Sequence, residues 1–426
     1  MLLVIYKIYK ILQIFTIVVV LVFSPYHLLF AALETELRDK IEDHSNNIKK
    51  LEEEIATYKT QIEKVGTEAK TLQNAIKELD LNQKKVQVEI KKTETNITKS
   101  NLTLESLGVA IEDTAEKIDT NSLAIKESLS AMREAENQSI IEHILSDKSL
   151  SEILDTYEST NQFQSKIRER SLELSAYKED LSNKKLAIEK EKQKLVYFKS
   201  DLGDKNKILA NGKKEKNTLL TSTRNQEAEY KKIVAQKQAD KERFEKELFE
   251  FESALKRSVD PNSFPSAGSS VLSWPLDTVF ITQYFGKTVD AKRLYSSGTH
   301  NGIDFRASRG TPVKAALNGT VIGTGNTDGG GCYSYGKWVL IEHPNGLTSL
   351  YAHLDLIKVQ NGERVETGQT ISYSGQTGYA TGPHLHFSLY ASQGVEVQKY
   401  SSSKNCKNAS IPVADKSAYL DPMKYF

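Results

Sequence analysis

The chain divides into a long N-terminal α-helical coiled coil, expected as an antiparallel hairpin, and a C-terminal, mainly antiparallel β domain. Three observations predict this multidomain architecture. Residues 33–257 contain no proline and few glycines, and their apolar positions recur at alternating steps of three and four. Residues 258–273 turn to serine and proline, the composition of a linker. From Trp274 onward, short β-branched and aromatic runs are punctuated by turn pairs such as Asn318-Gly319 and Asn345-Gly346. At 426 residues the chain is too long for one ordinary core. The expected divisions are 1–32, 33–257, 258–273 and 274–426.

The first segment carries an export signal. Lys7 and Lys10 precede an apolar run from Ile11 to Phe23, interrupted by Gln13 and Thr16 and ended by Ser24-Pro25. A run of that length suits a signal-peptide core better than a bilayer span of about twenty residues. Small residues Ala31-Ala32 follow, but a bulky residue stands two positions before each possible final alanine, so an uncleaved membrane anchor stays open as an alternative. Either way, the remainder is expected outside the cytoplasm. Net charge is +1, from 57 basic and 56 acidic residues, and glutamates interleave the helical lysines. That balance speaks against nucleic acid as a partner and reads as a solvated helix face.

In the helical region, Ile41, His44, Ile48, Leu51, Ile55, Tyr58, Ile62, Val65, Ala69, Leu72, Ile76, Leu79, Gln83, Val86 and Ile90 form seven unbroken heptads. A second register runs through Ile167, Leu174, Leu181, Ile188, Leu195, Leu202 and Leu209, and the pattern returns as Phe244, Leu248, Phe251 and Leu255. Between the first two registers the period blurs, and Ser151 is a candidate cap for a new helix. A break there leaves two arms of comparable length. An antiparallel hairpin buries both seams within one chain; a parallel dimer is the other arrangement that heptads allow.

The β domain carries the chemistry. In His384-Leu-His386, one residue separates two histidines, so on a strand both imidazoles face the same side. His300-Asn-Gly-Ile-Asp304 supplies a nitrogen and an oxygen donor, with Gly302 permitting close backbone approach, and His353 ends the apolar segment Leu350-Tyr-Ala-His. Two imidazoles and a carboxylate form a hydrolytic zinc ligand set with a fourth position for water. Four histidines and one aspartate exceed the three ligands needed, and the surplus pair suits a general base and acid. His343, in the turn His343-Pro-Asn-Gly346, has no motif around it.

His300-x-Gly302-x-Asp304, Tyr351-Ala-His353-Leu354 and Gly382-Pro-His384-Leu-His386-Phe387 together resemble the signature blocks of the LytM/lysostaphin-type zinc metallopeptidases. Those are β-rich enzymes that cut peptide cross-links of bacterial peptidoglycan. The resemblance covers Trp274 to Phe426, and Trp274-Pro275, Phe285-Gly286 and Leu420-Asp-Pro422 also match. It implies His300, Asp304 and His386 as zinc ligands and His353 and His384 as the catalytic pair; spacing alone does not say which of His384 and His386 does which. It also implies peptidoglycan as the substrate and a periplasmic or extracellular, wall-associated location.

The helical segment before such a domain is similar to the EnvC-type subgroup. That implies a role in wall remodelling or cell separation, a membrane-embedded or division-machinery partner for the coiled coil, and regulation through it. Some of that subgroup lack metal ligands and only activate other hydrolases. A non-catalytic scaffold or activator is therefore the alternative reading, and the full ligand set here weighs against it. Tyr295, five residues before His300, is either a hydroxyl donor to the developing oxyanion or a structural tyrosine. An oxidising compartment permits a Cys332–Cys406 bridge, with two unpaired thiols as the alternative.

Overall fold

Long helices precede a β domain in the computed structural model, which describes residues 33, 35–62, 65, 71–136, 150–224, 226–254, 259–295, 297–328, 334–380, 382–399 and 409–426. The export segment and both cysteines lie outside the described residues. The helices are α1 (residues 35–62), α2 (Leu72–Glu136), α3 (Leu150–Thr223), α4 (Glu227–Ala254) and the short α5 (Val289–Leu294). Among the described residues, no helix is long and apolar enough to cross a membrane.

Two compact units form: Met1–Lys50 with Lys92–Asp201, and Leu51–Lys91 with Leu202–Phe426. In the first, α2 and α3 run antiparallel. Thr93 Oγ1 donates to Asp201 Oδ2 at 2.9 Å, Ser100 Oγ to Glu191 Oε1 at 2.7 Å, and Arg170 Nη1 to Asn121 Oδ1 at 2.9 Å. The partner number falls as the residue number rises. In the second unit the same sense continues, with Gln83 Nε2 donating to Gly212 O at 3.2 Å and Lys216 pairing with Asp80 at 2.5 Å.

The heptads from Ile41 to Ile90 are not one helix. Thr71 is a bend whose hydroxyl accepts the Asn74 amide at 3.2 Å, which caps a fresh start at Leu72. A side-chain repeat specifies which face is buried and leaves the backbone free to restart. Leu51, Ile55, Ile62, Val65, Leu72, Leu79 and Val86 of that seam are buried, whereas the second register is half-buried from Ile167 to Leu209. Ser151 lies inside the first turn of α3, one residue past its start.

Within the second unit, the helical roots pack on the β domain. Lys85 is fully buried and donates to Ser308 Oγ at 3.0 Å and Arg309 O at 2.5 Å. Arg309 pairs with Glu215 and, at 3.4 Å, with Asp355. Val86, Ile208 and Tyr373 close an apolar cluster beside them. Composition therefore divides the chain by secondary structure, while packing joins the ends of the helical region to the β domain.

The linker composition also hides structure. Asp260 caps a single turn at Pro261–Ser263, Val259 and Phe264 pack into the domain core, and Gly268 and Leu272 amides donate to Lys424 O (2.6 Å) and Tyr425 O (2.9 Å). The Asn262 amide and side chain both donate to Asp260 Oδ1.

The β domain comprises β1 (Ile281–Gln283), β2 (Ile303–Arg306), β3 (Pro312–Lys314), β4 (Gly319–Asn326), β5 (Lys337–Glu342), β6 (Leu347–Ile357), β7 (Arg364–Val365), β8 (Thr370–Ser374), β9 (His384–Ala391), β10 (Val395–Lys399), β11 (Ser410–Ala414) and β12 (Tyr419–Leu420). Its main sheet runs β1-β2-β9-β6-β5-β4-β7, with β8 joining β3 and β6, β12 on β9, and every pairing antiparallel. β10 and β11 form a separate ribbon.

Alternation sorts the central strands onto two faces. Leu347, Tyr351, Leu385, Phe387 and Leu389 enter one core, and Leu350, Ala352 and Tyr390 the other. His343 is a core residue, as its lack of a motif suggests: it is bonded to Asn318 O at 3.0 Å and Ser349 Oγ at 2.8 Å, and burial pushes its pKa down to about 4.

Candidate metal centre

Cross-strand register brings the first candidate ligands together. Asp304 on β2 lies directly opposite His386 on β9, while their neighbours Ile303, Phe305, Leu385 and Phe387 point into the core. His300 joins through a bridge with Gly286 just before β2. His386 Nδ1 lies 2.9 Å from Asp304 Oδ1 and 3.2 Å from His300 Nε2, and His300 Nε2 lies 3.3 Å from Asp304 Oδ1. A tetrahedral ion with bonds of about 2.0–2.1 Å spaces its ligands about 3.3 Å apart. The three buried donors therefore fit zinc.

The outward nitrogens are also held. His300 Nδ1 contacts Tyr284 O at 3.1 Å, and a carbonyl only accepts, so that nitrogen carries the proton and Nε2 keeps its lone pair. His386 Nε2 lies 2.8 Å from Ser388 Oγ, a hydroxyl able to accept its N–H and so leave the lone pair on Nδ1. Burial pushes Asp304 up, yet His384, His300 and His386 around it hold the carboxyl well below its ordinary value. Burial lowers the His386 pKa, with Asp304 opposing. An ionised carboxylate and neutral imidazoles are the forms a metal needs.

Gly302 is where backbone meets site. A Cβ there would lie 2.8 Å from both His386 Cε1 and Ser388 Oγ. Gly302→Ala is expected to lower zinc affinity on the order of 10–100-fold by displacing this orienting pair. Competition against a chromophoric chelator measures it.

His353 reaches the site through a bulge. Val339 and Lys337 of β5, two apart, pair with Tyr351 and Leu354 of β6, three apart, and His353 has a φ of 58°. Regular alternation would point His353 into the Tyr351 core; the extra residue returns Leu354 to that core and turns His353 to the cleft. Its Nδ1 donates to Thr377 O at 2.8 Å, and that of His384 donates to Gly382 O at 2.9 Å. Both contacts leave Nε2 as the ring nitrogen not bonded to a carbonyl, and the two rings are 4.6 Å apart. Burial, then the neighbouring His384 and His386, keep the His353 pKa well below the ordinary histidine value.

All five sequence-predicted residues thus converge. Asp304, His353, His384 and His386 line a cavity of about 370 Å³, and His300 sits fully buried behind it. Tyr295 lines the cavity too, its ring stacked on His300 at 5.2 Å and its hydroxyl 3.4 Å from Gln283 Oε1.

Sequence reasoning did not single out Ser388, although it stands two residues past His386 and period two places it on the same face. The carbonyls of Tyr284, Thr377 and Gly382 have no side-chain signal. Nor did the heptads reveal the opposite wall of the cavity. Lys241, Glu245, Leu248, Phe249 and Glu252, at helical spacing on α4, form it. Glu252 Oε1 accepts from Tyr419 Oη at 2.7 Å and the Ala414 amide at 3.3 Å, and Lys416 Nζ lies 3.1 Å from the Phe249 ring centroid.

Residues 298–399 match the model of Peptidase family M23, a span that holds all five residues. Over 94 residues the chain is 42% identical to the DD-carboxypeptidase/endopeptidase Mpg of Neisseria meningitidis serogroup B, covering 22% of this chain and 20% of that protein. It is 42% identical over 92 residues to the glycyl-glycine endopeptidase ALE-1 of Staphylococcus capitis, covering 22% and 25%. It is 41% identical over 116 residues to the peptidoglycan DD-endopeptidase ShyA of Vibrio cholerae serotype O1, covering 27% and 24%. The chain spans about a fifth to a quarter of the length of these curated relatives. Behind its long helical region, this chain carries a C-terminal Peptidase family M23 domain.

Proposed function

We propose that the protein is a zinc endopeptidase that cleaves peptide cross-links of peptidoglycan and is held latent by α4. The observation that carries the reading is the His300–Asp304–His386 donor triangle beside two further histidines, His353 and His384, the latter with Nε2 3.8 Å from Asp304 Oδ1. The complete donor set supports an enzyme over a scaffold. Zinc bound there supplies Lewis-acid chemistry, polarising an amide carbonyl and acidifying water. His353, neutral and fixed by Thr377 O, offers Nε2 to take a proton from the attacking water. His384, the more exposed of the pair, offers the same nitrogen to shuttle a proton to the departing amine. Tyr295 stands on the cavity wall with a hydroxyl to donate to the developing oxyanion. Export through the N-terminal segment to the wall, where the helical region meets a membrane or division-machinery partner, completes the reading.

The test is stoichiometric zinc in the purified full chain, together with mass analysis of peptidoglycan digests for newly freed amine ends. A chain that binds zinc yet releases no new ends after α4 is displaced would sink the peptidase reading.

Latency rests on α4 roofing the cavity that the histidines line. Its attachment is expected to depend on pH through Glu252. Burial raises that carboxyl from an ordinary 4.5 to about 7, and it faces Tyr419, Lys416, Asp415, Tyr335 and Tyr390. The docked form therefore binds the proton more tightly than the undocked one. No penalty exists below pH 4.5; it grows as pH rises and reaches about 3 kcal/mol above pH 7. Hydrogen-exchange protection of the α4 amides should fall across that window, and Glu252→Gln should flatten the fall.

A further inference from the structure

Lys241 is an anomaly on α4. The helix is rich in lysines, and Lys231, Lys232 and Lys246 are exposed, as surface ammonium groups ordinarily are. Lys241 is instead buried, with 7% of its surface accessible. Its Nζ lies 4.6 Å from the centroid of the Tyr295 ring and 4.4 Å from that of Tyr379, and 3.3 Å from Glu245 Oε1. An i,i+4 pair with Glu245 forms on any exposed helix and needs no aromatic walls. Two ring faces at cation–π distance are a separate feature, and both come from the β domain.

Both segments are fixed by backbone hydrogen bonds, and each ring's hydroxyl is held by a side chain, Tyr295 Oη by Gln283 Oε1 and Tyr379 Oη by Gln238 Oε1 of α4. The Tyr295 amide donates to Ala291 O at the end of α5, and the Tyr379 amide to Ser334 O, each at 3.0 Å. Neither ring belongs to the two apolar cores of the β domain. Tyr295 stacks on the ligand histidine His300, and Tyr379 stands five residues before His384. A cation between the rings thus lies one aromatic ring from the metal ligands, the neighbourhood of a residue flanking the scissile bond.

We propose that Tyr295 and Tyr379 form a subsite for a primary ammonium, that of a diamino-acid side chain in the peptide substrate, and that Lys241 fills it as a substitute when α4 covers the cleft. The word substrate here rests on the peptidase reading above. The subsite itself is a matter of binding. The arrangement gives the cover chemical specificity: α4 leaves when a ligand with its own ammonium competes for the two rings, and other peptides meet a filled subsite.

The test uses the full chain and three tripeptide amides: acetyl-Ala-Lys-Ala-amide, the same peptide acetylated on the lysine Nε, and Ala-Ala-Ala-amide with a free α-amine. Lys241→Ala empties the subsite and keeps helix propensity. That variant should bind the free-ammonium lysine peptide about tenfold more tightly than its Nε-acetylated form. The unmodified chain should keep the preference but bind both lysine peptides more weakly, because each must first displace its own lysine from the rings. In the Lys241→Ala background, Tyr379→Phe should keep the preference and Tyr379→Leu should lose it, with circular dichroism confirming the fold of each. Equal binding of the two lysine peptides by the Lys241→Ala chain, or binding of neither, overturns the proposal and leaves a Lys241–Glu245 pair only. Tightest binding of Ala-Ala-Ala-amide overturns the side-chain assignment in favour of an α-amine. Binding is read without cleavage, so a chain with no peptidase activity still answers the question.

Discussion

His300→Ala, Asp304→Ala and His386→Ala are each expected to strip zinc from the protein, while His353→Ala and His384→Ala keep the metal and lose hydrolysis. The division follows from the donors. The three ligand atoms lie within 3.3 Å of one another, so removing one leaves a bidentate remnant in a buried pocket. His353 and His384 instead anchor their Nδ1 atoms on Thr377 O and Gly382 O, away from the triangle. Loss of a positioned acid or base costs on the order of 10²–10⁴-fold in rate. Metal analysis after gel filtration, paired with peptidoglycan cleavage at equal zinc occupancy, reads both halves. Release of the metal by His353→Ala or His384→Ala as complete as that from the ligand variants would show the roles to be wrongly divided.

Undocking α4 is expected to raise hydrolysis by the full chain at least tenfold. Leu248 is buried on the cavity wall, and Leu248→Asp would place an unpaired carboxylate there at a cost of several kcal/mol. Each 1.4 kcal/mol shifts the covered and open populations tenfold, and a partner acts only through its differential affinity for the open form. Truncation is a second route, provided it starts at Val259, because Val259, Phe264 and Leu272 are part of the β domain's packing. Rates for Leu248→Asp and for residues 259–426 that match the unmodified chain would leave α4 as a spacer.

Element types are legible from residue pattern alone, and the grouping of His300, Asp304 and His386 as candidate ligands comes from motif resemblance. Heptad spacing named the buried seam from Leu51 to Val86, because a 3.5-residue repeat admits no other exposed-and-buried pattern on a helix. Period two put His384 and His386 on one face of β9, and the sheet register then set Asp304 across from His386. The heptad seam and the shared face of His384 and His386 are local codes, read from side-chain identity alone, whereas the pairing of β2 with β9 belongs to the folded sheet.

Other features of the site carry no such code. His353 reaches the cleft only because β6 bulges against β5, which in the sequence is an unmarked step inside an apolar run. The carbonyls of Tyr284, Thr377 and Gly382 fix three imidazoles, and a carbonyl is the same at every residue. Residues 259–273 carry a linker's composition yet follow the domain surface, since Val259, Phe264 and Leu272 find apolar partners distant in sequence. On α4, Leu248 fits a coiled-coil register, but its apolar surface is buried against the histidine-lined cleft of the β domain. An apolar stripe specifies that a face must leave water; only the folded chain specifies which surface covers it.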